Sequence, residues 1–137
     1  MPSLRQKVWK RADACCEYCQ LPQGLTVLPH ETDHIVAQKH GGRTVFENLC
    51  LACAQCNAFK GPNIAGRDPV SGEVTRLFDP RQDEWTEHFH WNGAILAAKT
   101  PVGRTTAAVL NFNAPERMQH RQLLIAAGLY PVDSRRD

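Results

Sequence analysis

Apolar residues recur at helical spacing near the start of the chain, where Leu4, Val8 and Ala12 follow Ser3. The pattern predicts an opening amphipathic helix over residues 3–13 with Ser3 as its N-cap. Leu21-Pro22-Gln23-Gly24 is a turn signal, and residues 26–36 read as extended chain ending in Asp33-His34. Gly41-Gly42 marks a loop over 39–47, and 48–51 reads as a short strand. A helix over about 54–60, closed by Gly61-Pro62, completes a strand, loop, strand, helix unit.

Beyond Pro62 the pattern loosens. Gly66 to Gly72 is rich in turn residues, while 74–78 and 88–99 carry strand-like and mixed apolar runs. Thr100 as N-cap with Pro101 at the first helical position opens a helix reaching about Leu110. Asn113 with Glu116 makes a capping-box-like start for another, ended by Gly128. The polar and aromatic alternation along Glu87-His88-Phe89-His90-Trp91 reads as a half-exposed strand rather than a second metal site. Trp85, Phe89 and Trp91 are then expected in the core rather than on an exposed binding platform. With 137 residues and 42% hydrophobic content, one compact domain is expected. It divides into a core over 1–63 and a C-terminal extension over 64–137.

Cysteine changes this picture most. Four of the six cysteines form two C-x-x-C pairs, Cys16/Cys19 and Cys53/Cys56, the spacing at which two knuckles close a tetrahedral structural zinc site. Cys15 and Cys50 are spare, although Cys15 could replace Cys16 with one more intervening residue. No run of about eighteen apolar residues exists and the N-terminus lacks the apolar stretch of a signal peptide. A soluble, cytoplasmic protein without a membrane partner is expected, in which zinc takes precedence over disulfides.

The formal charge of +2 and pI near 8.3 permit nucleic-acid binding without demanding it. Local clusters are more informative: Arg5, Lys7, Lys10 and Arg11 near the start, Lys39, His40 and Arg43 in the central loop, and Arg135 with Arg136 near the end. Most such runs are ordinary solvated faces.

Taken in order, Asp33-His34-Ile35, Gly41-Gly42, Asn48-Leu49 and Cys53-x-x-Cys56-Asn57-x-x-Lys60 resemble the HNH endonucleases, in their four-cysteine, zinc-stabilised branch. The resemblance covers about residues 8–63 and implies an α+β fold: a ββα-metal finger with a structural zinc site of four cysteines, an N-terminal helix and a strand-plus-helix extension. It implies His34 as general base, Asn48 as the central asparagine, Asn57 at the final motif position and Asp33 as the acidic ligand of a catalytic ion.

This assignment suits phosphodiester hydrolysis. An imidazole can take the proton of the attacking water, and a divalent ion at Asp33 and Asn57 can polarise the phosphate and the leaving oxygen. An amide in place of a final histidine favours Mg2+ or Mn2+ over zinc or nickel there. Asn48 is expected to brace the loop behind the base. Lys60, Lys39 and Arg43 are the candidate phosphate contacts, and His30, four residues before His34, is a further candidate for phosphate or metal. Neighbours on a regular strand face opposite ways, so an irregularity is predicted at Asp33-His34.

The expectation is a metal-dependent endonuclease acting on DNA with weak sequence preference, leaving 5′ phosphate and 3′ hydroxyl ends as the family does. RNA stays open as a substrate. The alternative is a non-catalytic zinc module that binds nucleic acid or a protein.

Overall fold

The structure, a computed structural model, describes residues 1–131, so the Arg135-Arg136 pair lies outside the described residues. Helix α1 spans Leu4–Arg11, shorter than the expected 3–13. Ser3 caps it, and Gln6 returns a side-chain bond to the Ser3 backbone in a full capping box. Its apolar stripe, Leu4, Val8 and Ala12, packs on Leu49 and Leu51 together with Trp9 and Phe46. Arg11 reinforces that contact by donating to the carbonyls of Phe46 and Leu49.

Strands β1 (Glu31–His34) and β2 (Leu49–Ala52) pair antiparallel, from Glu31 opposite Ala52 to His34 opposite Leu49. Every residue of β2 is buried, because α1 covers one face and helix α2 (Ala54–Lys60) lies on the other side. The predicted irregularity at Asp33-His34 is absent. The ladder stays in register through His34, and the chain bends only at Ile35, beyond the strand. Asp33 and His34 therefore face opposite ways.

Among the described residues the extension adds two hairpins and three helices. Strands β3 (Ala65–Arg67) and β4 (Val74–Arg76) pair, as do β5 (Phe89–Asn92) and β6 (Ile95–Ala98), with the one-turn helix α3 (Trp85–His88) between the hairpins. Helix α4 (Pro101–Val109) starts at the predicted Thr100 cap and lies against β3, β4 and β6. Gly103 permits this, since a Cβ there would stand 2.4 Å from the His88 carbonyl oxygen. Helix α5 (Pro115–Ala126) departs from the expected start: its N-cap is Ala114, with no side-chain cap. Asn113 instead binds the backbone of Leu96 through both ends of its amide.

One continuous core runs from the knuckle cysteines, Tyr18 and Leu21 to Phe78, Phe89, Leu96, Leu110, Phe112 and Tyr130. Phe89 is buried, with Trp85 and Trp91 half-buried against the same core. Polar ties reach three consecutive residues of the first knuckle. Arg81 pairs with Glu17, the Trp85 indole donates to the Tyr18 carbonyl at 2.8 Å, and the Tyr130 hydroxyl donates to the Cys19 carbonyl at 2.5 Å.

Asp68 supplies an acid-sensitive fastening. Its buried carboxylate takes two bonds from Arg104, at 2.8 and 3.0 Å, and one each from the Val70 backbone and Ser71. Arg104, followed by these hydrogen bonds, holds the carboxyl below its ordinary range. A depressed folded pKa contributes stability above the unfolded value, about 4, that is lost as pH falls below it. Asp68→Asn is expected to destabilise the protein at pH 7 and to flatten the acid limb of its stability curve, checked by urea unfolding between pH 7 and pH 3.

Candidate metal centre and nuclease site

Both knuckles deliver their sulfurs to one point. The Sγ atoms of Cys16, Cys19, Cys53 and Cys56 all lie within 4.8 Å of one another, fully enclosed. Cys19 and Cys53 Sγ are 3.7 Å apart, against about 3.8 Å for the edge of a tetrahedron with zinc–sulfur bonds of 2.3 Å. Each knuckle turns back on itself: the Cys19 N–H donates to Cys16 Sγ and the Cys56 N–H to Cys53 Sγ, both at 3.4 Å. Cys53 is also the N-cap of α2.

Burial pushes the Cys16 and Cys56 thiols well up, while hydrogen bonds from Cys16, Cys53 and Cys56 pull Cys19 well down. Four enclosed sulfurs sharing little negative charge form a donor set that a divalent ion completes by letting every thiol ionise. The four cysteines are thus placed to bind one metal ion, and all six thiols are unbridged. Cys15 is buried outside the cluster, in an isolated bridge with Pro22. His88 and His90 form no metal group among the described residues: His88 Nδ1 sits 2.6 Å from the Thr100 hydroxyl, and His90 is exposed.

The second constellation straddles β1. His34 ends the strand half-exposed, its Nε2 2.9 Å from the Thr44 hydroxyl, which Gln38 also contacts. The intervening loop is pinned by Asn48. Its Oδ1 accepts from the Val36 N–H at 2.9 Å, and its Nδ2 donates to the carbonyls of Val36 at 3.0 Å and Arg43 at 2.9 Å. Gly42 lies where any Cβ would overlap the Val36 carbonyl oxygen, which gives the second glycine of the pair its reason. Lys39 and Arg43 are exposed on this loop.

On the opposite face of β1, Glu31 and Asp33 look towards α2. Asn57 Nδ2 donates to Glu31 Oε2 at 3.0 Å. Asp33 is buried and forms an ion pair with Lys60 at 3.1 Å, and the Tyr18 hydroxyl donates to it at 3.2 Å. Burial raises the Asp33 carboxyl, an effect that Lys60 and these hydrogen bonds oppose. Cys50 lies beside this group, 3.8 Å from Asp33.

Two expectations need correction. Lys60 is 1% exposed and donates to the His34 carbonyl at 3.0 Å as well as pairing with Asp33, so it offers no free cation to a phosphate. His30 is likewise buried, with Nε2 2.7 Å from the Leu21 carbonyl and its ring stacked on Trp9, out of reach of substrate. Sequence reading also missed Glu31 and Thr44. Period-two alternation through Glu31-Thr32-Asp33 carried the first signal, whereas a threonine in a polar loop carried none.

The pair predicts unequal lysines. Lys60→Met leaves Asp33 enclosed without its cation and is expected to cost about 3–5 kcal/mol, whereas Lys39→Met on the exposed loop stays within about 0.5 kcal/mol of wild type. Chemical denaturation of the two variants checks this, and equal effects would refute the buried-pair assignment.

Comparisons with known proteins agree with this geometry at the level of the finger. The chain is 23% identical over 126 residues to the Septu protein PtuB of Bacillus thuringiensis, an alignment covering 90% of this chain and 46% of that protein. The chain thus spans about half the length of the curated relative it matches. No solved structure matches significantly. Residues 16–62 match the family model of the HNH endonuclease, a segment running from the first knuckle cysteine to just past α2.

Proposed function

We propose that the chain is a metal-dependent endonuclease that hydrolyses phosphodiester bonds of DNA, with the cysteine cluster holding a structural zinc. The observation that carries this reading is the half-exposed His34 at the strand end, its ring held by Thr44 and its loop fixed by Asn48 within an HNH-matching segment.

His34 takes the proton of the attacking water, as a general base must lie within hydrogen-bond reach of that water. Thr44 limits the ring to one orientation, so a water presented to the exposed side meets a fixed acceptor. Asn48 acts by position alone: without its three bonds, the Val36 and Arg43 ends of the loop would separate. Lys39 and Arg43, exposed on that loop, attract the phosphate backbone.

Glu31, Asp33 and the Asn57 amide place hard oxygen donors on one side of β1, a set that suits Mg2+ or Mn2+. Asn57 with Asp33 would hold the ion, and Glu31 adjoins them; since Asp33 and His34 face opposite sides of β1, a phosphate that meets both must lie across the strand end at His34. When bound, such an ion neutralises charge on the scissile phosphate and its leaving oxygen. Because Lys60 already occupies the cation position beside Asp33, ion binding there competes with an internal ammonium.

Among the described residues no helix is long and apolar enough to cross a membrane. A cytoplasmic setting remains part of the proposal.

The test is nicking of supercoiled plasmid with Mg2+ or Mn2+. His34→Ala is expected to reduce cleavage by at least about 100-fold, with zinc content and thermal midpoint unchanged. Wild-type protein of full zinc content that cleaves neither plasmid, single-stranded DNA nor RNA with any divalent ion would favour a non-catalytic zinc module. Cleavage of RNA alone would move the substrate to that polymer.

A further inference from the structure

Helix α5 docks in an unusual way. Its fully buried residues are Arg117 and Arg121, one turn apart, whereas Leu123 is 71% exposed and Leu124 and Ile125 are only half-buried. A helix ordinarily attaches through an apolar stripe. Here two guanidinium groups face the interior, and among the described residues neither forms an ion pair with a carboxylate.

Arg117 reaches the cysteine cluster. Its Nη2 lies 3.1 Å from Cys56 Sγ and 3.9 Å from Cys53 Sγ, while Nη1 donates to the carbonyls of Leu110 at 2.8 Å and Asn111 at 3.3 Å. Arg121 follows on the same face, bound to the Ala94 and Phe112 carbonyls at 2.7 Å and to Asn113 Oδ1 at 2.8 Å. Carbonyl dipoles satisfy their N–H groups but supply no counter-charge. An isolated buried cation is strongly unfavourable.

We propose that Arg117 is the charge partner of the thiolate-bound metal, and that this contact fastens α5 to the finger so that docking of the C-terminal helix depends on metal occupancy. The proposal rests on the zinc reading above. A divalent ion with four thiolates carries a net charge of −2, and Arg117 and Arg121 contribute two positive charges along the adjoining helix face. The Tyr130 hydroxyl, on the Cys19 carbonyl at 2.5 Å, ties the chain after α5 to the other knuckle. Arg117 is thus a positioning residue for metal and helix, outside the reacting centre.

Full-length Arg117→Met and Arg117→Lys, loaded with zinc or with cobalt as a spectroscopic probe, test this. Removing an outer hydrogen-bond partner of a metal ligand lowers metal affinity about 10–100-fold. Arg117→Met is expected to lose affinity in that range in chelator competition, to shift the thiolate-to-cobalt charge-transfer band, and to lose hydrogen-exchange protection over 115–126 while β1 and β2 stay protected. Arg117→Lys keeps the charge without the fork, so it should retain more affinity than the methionine variant and still shift the band. It carries the test if Arg117→Met does not fold. Unchanged band position and affinity within twofold of wild type in a folded variant would overturn the role of Arg117 while leaving the zinc site standing. Wild-type protein that takes up neither zinc nor cobalt would overturn both.

Discussion

Convergence of four sulfurs on one point fixes nearly every other distance in the finger. The knuckles at Cys16/Cys19 and Cys53/Cys56 lie far apart in sequence, so closing them costs loop entropy that the intervening contacts alone would recover poorly. Cys53 both offers a ligand and caps α2, which couples the metal point to the start of the helix. Asn57 follows the last ligand directly, and Lys60 lies one turn further on. Their placement against Glu31 and Asp33 is therefore set by the cysteine cluster as much as by the β1–β2 ladder. A structural ion contributes about 10–16 kcal/mol in small zinc units, comparable with the whole stability of a domain of this size.

Asp33 is already neutralised within the fold. In this structure its negative charge is matched by Lys60, with the Tyr18 hydroxyl donating to the same oxygen and Cys50 alongside. Exchanging that ammonium for a hydrated divalent ion would leave Lys60 enclosed and unpaired unless it moved, at a cost of several kcal/mol. Glu31 is the exposed carboxylate on the same strand face and is already joined to Asn57.

How far the sequence was legible follows from how local each signal is. Ser3, Thr100 and Gly61 marked helix ends correctly because caps act within a few residues, and C-x-x-C spacing identified the ligand set because a knuckle is four residues long. The strand-like run at 74–78 contains β4, but its partner β3 escaped notice at the edge of the turn-rich link, since a three-residue strand carries too little alternation to register. Asn113 was misread because its local pattern suited a cap, whereas the backbone of β6, earlier in the chain, claimed its amide. At the site, residue identities were readable and their partners were not. Lysine is almost always a surface residue, so nothing in Asn57-x-x-Lys60 disclosed that the ammonium turns inward to Asp33.

The extension illustrates the same limit through its chemistry. Hydrophobic periodicity identifies a helix face that seeks the core, yet the fully buried residues of α5 are cationic, while Leu124 and Ile125 are only half-buried and Leu123 is exposed. Such a helix reads as solvent-facing unless the negative charge it meets is known. That charge lies on cysteines some sixty residues earlier in the chain, the Arg117–Cys56 separation being 61. It exists in full only when the thiols are ionised, which metal binding enforces. On that proposal, α5 docks onto a finger already formed: a bound ion would keep the four sulfurs ionised, and the arginine face of the helix would neutralise the net charge they carry.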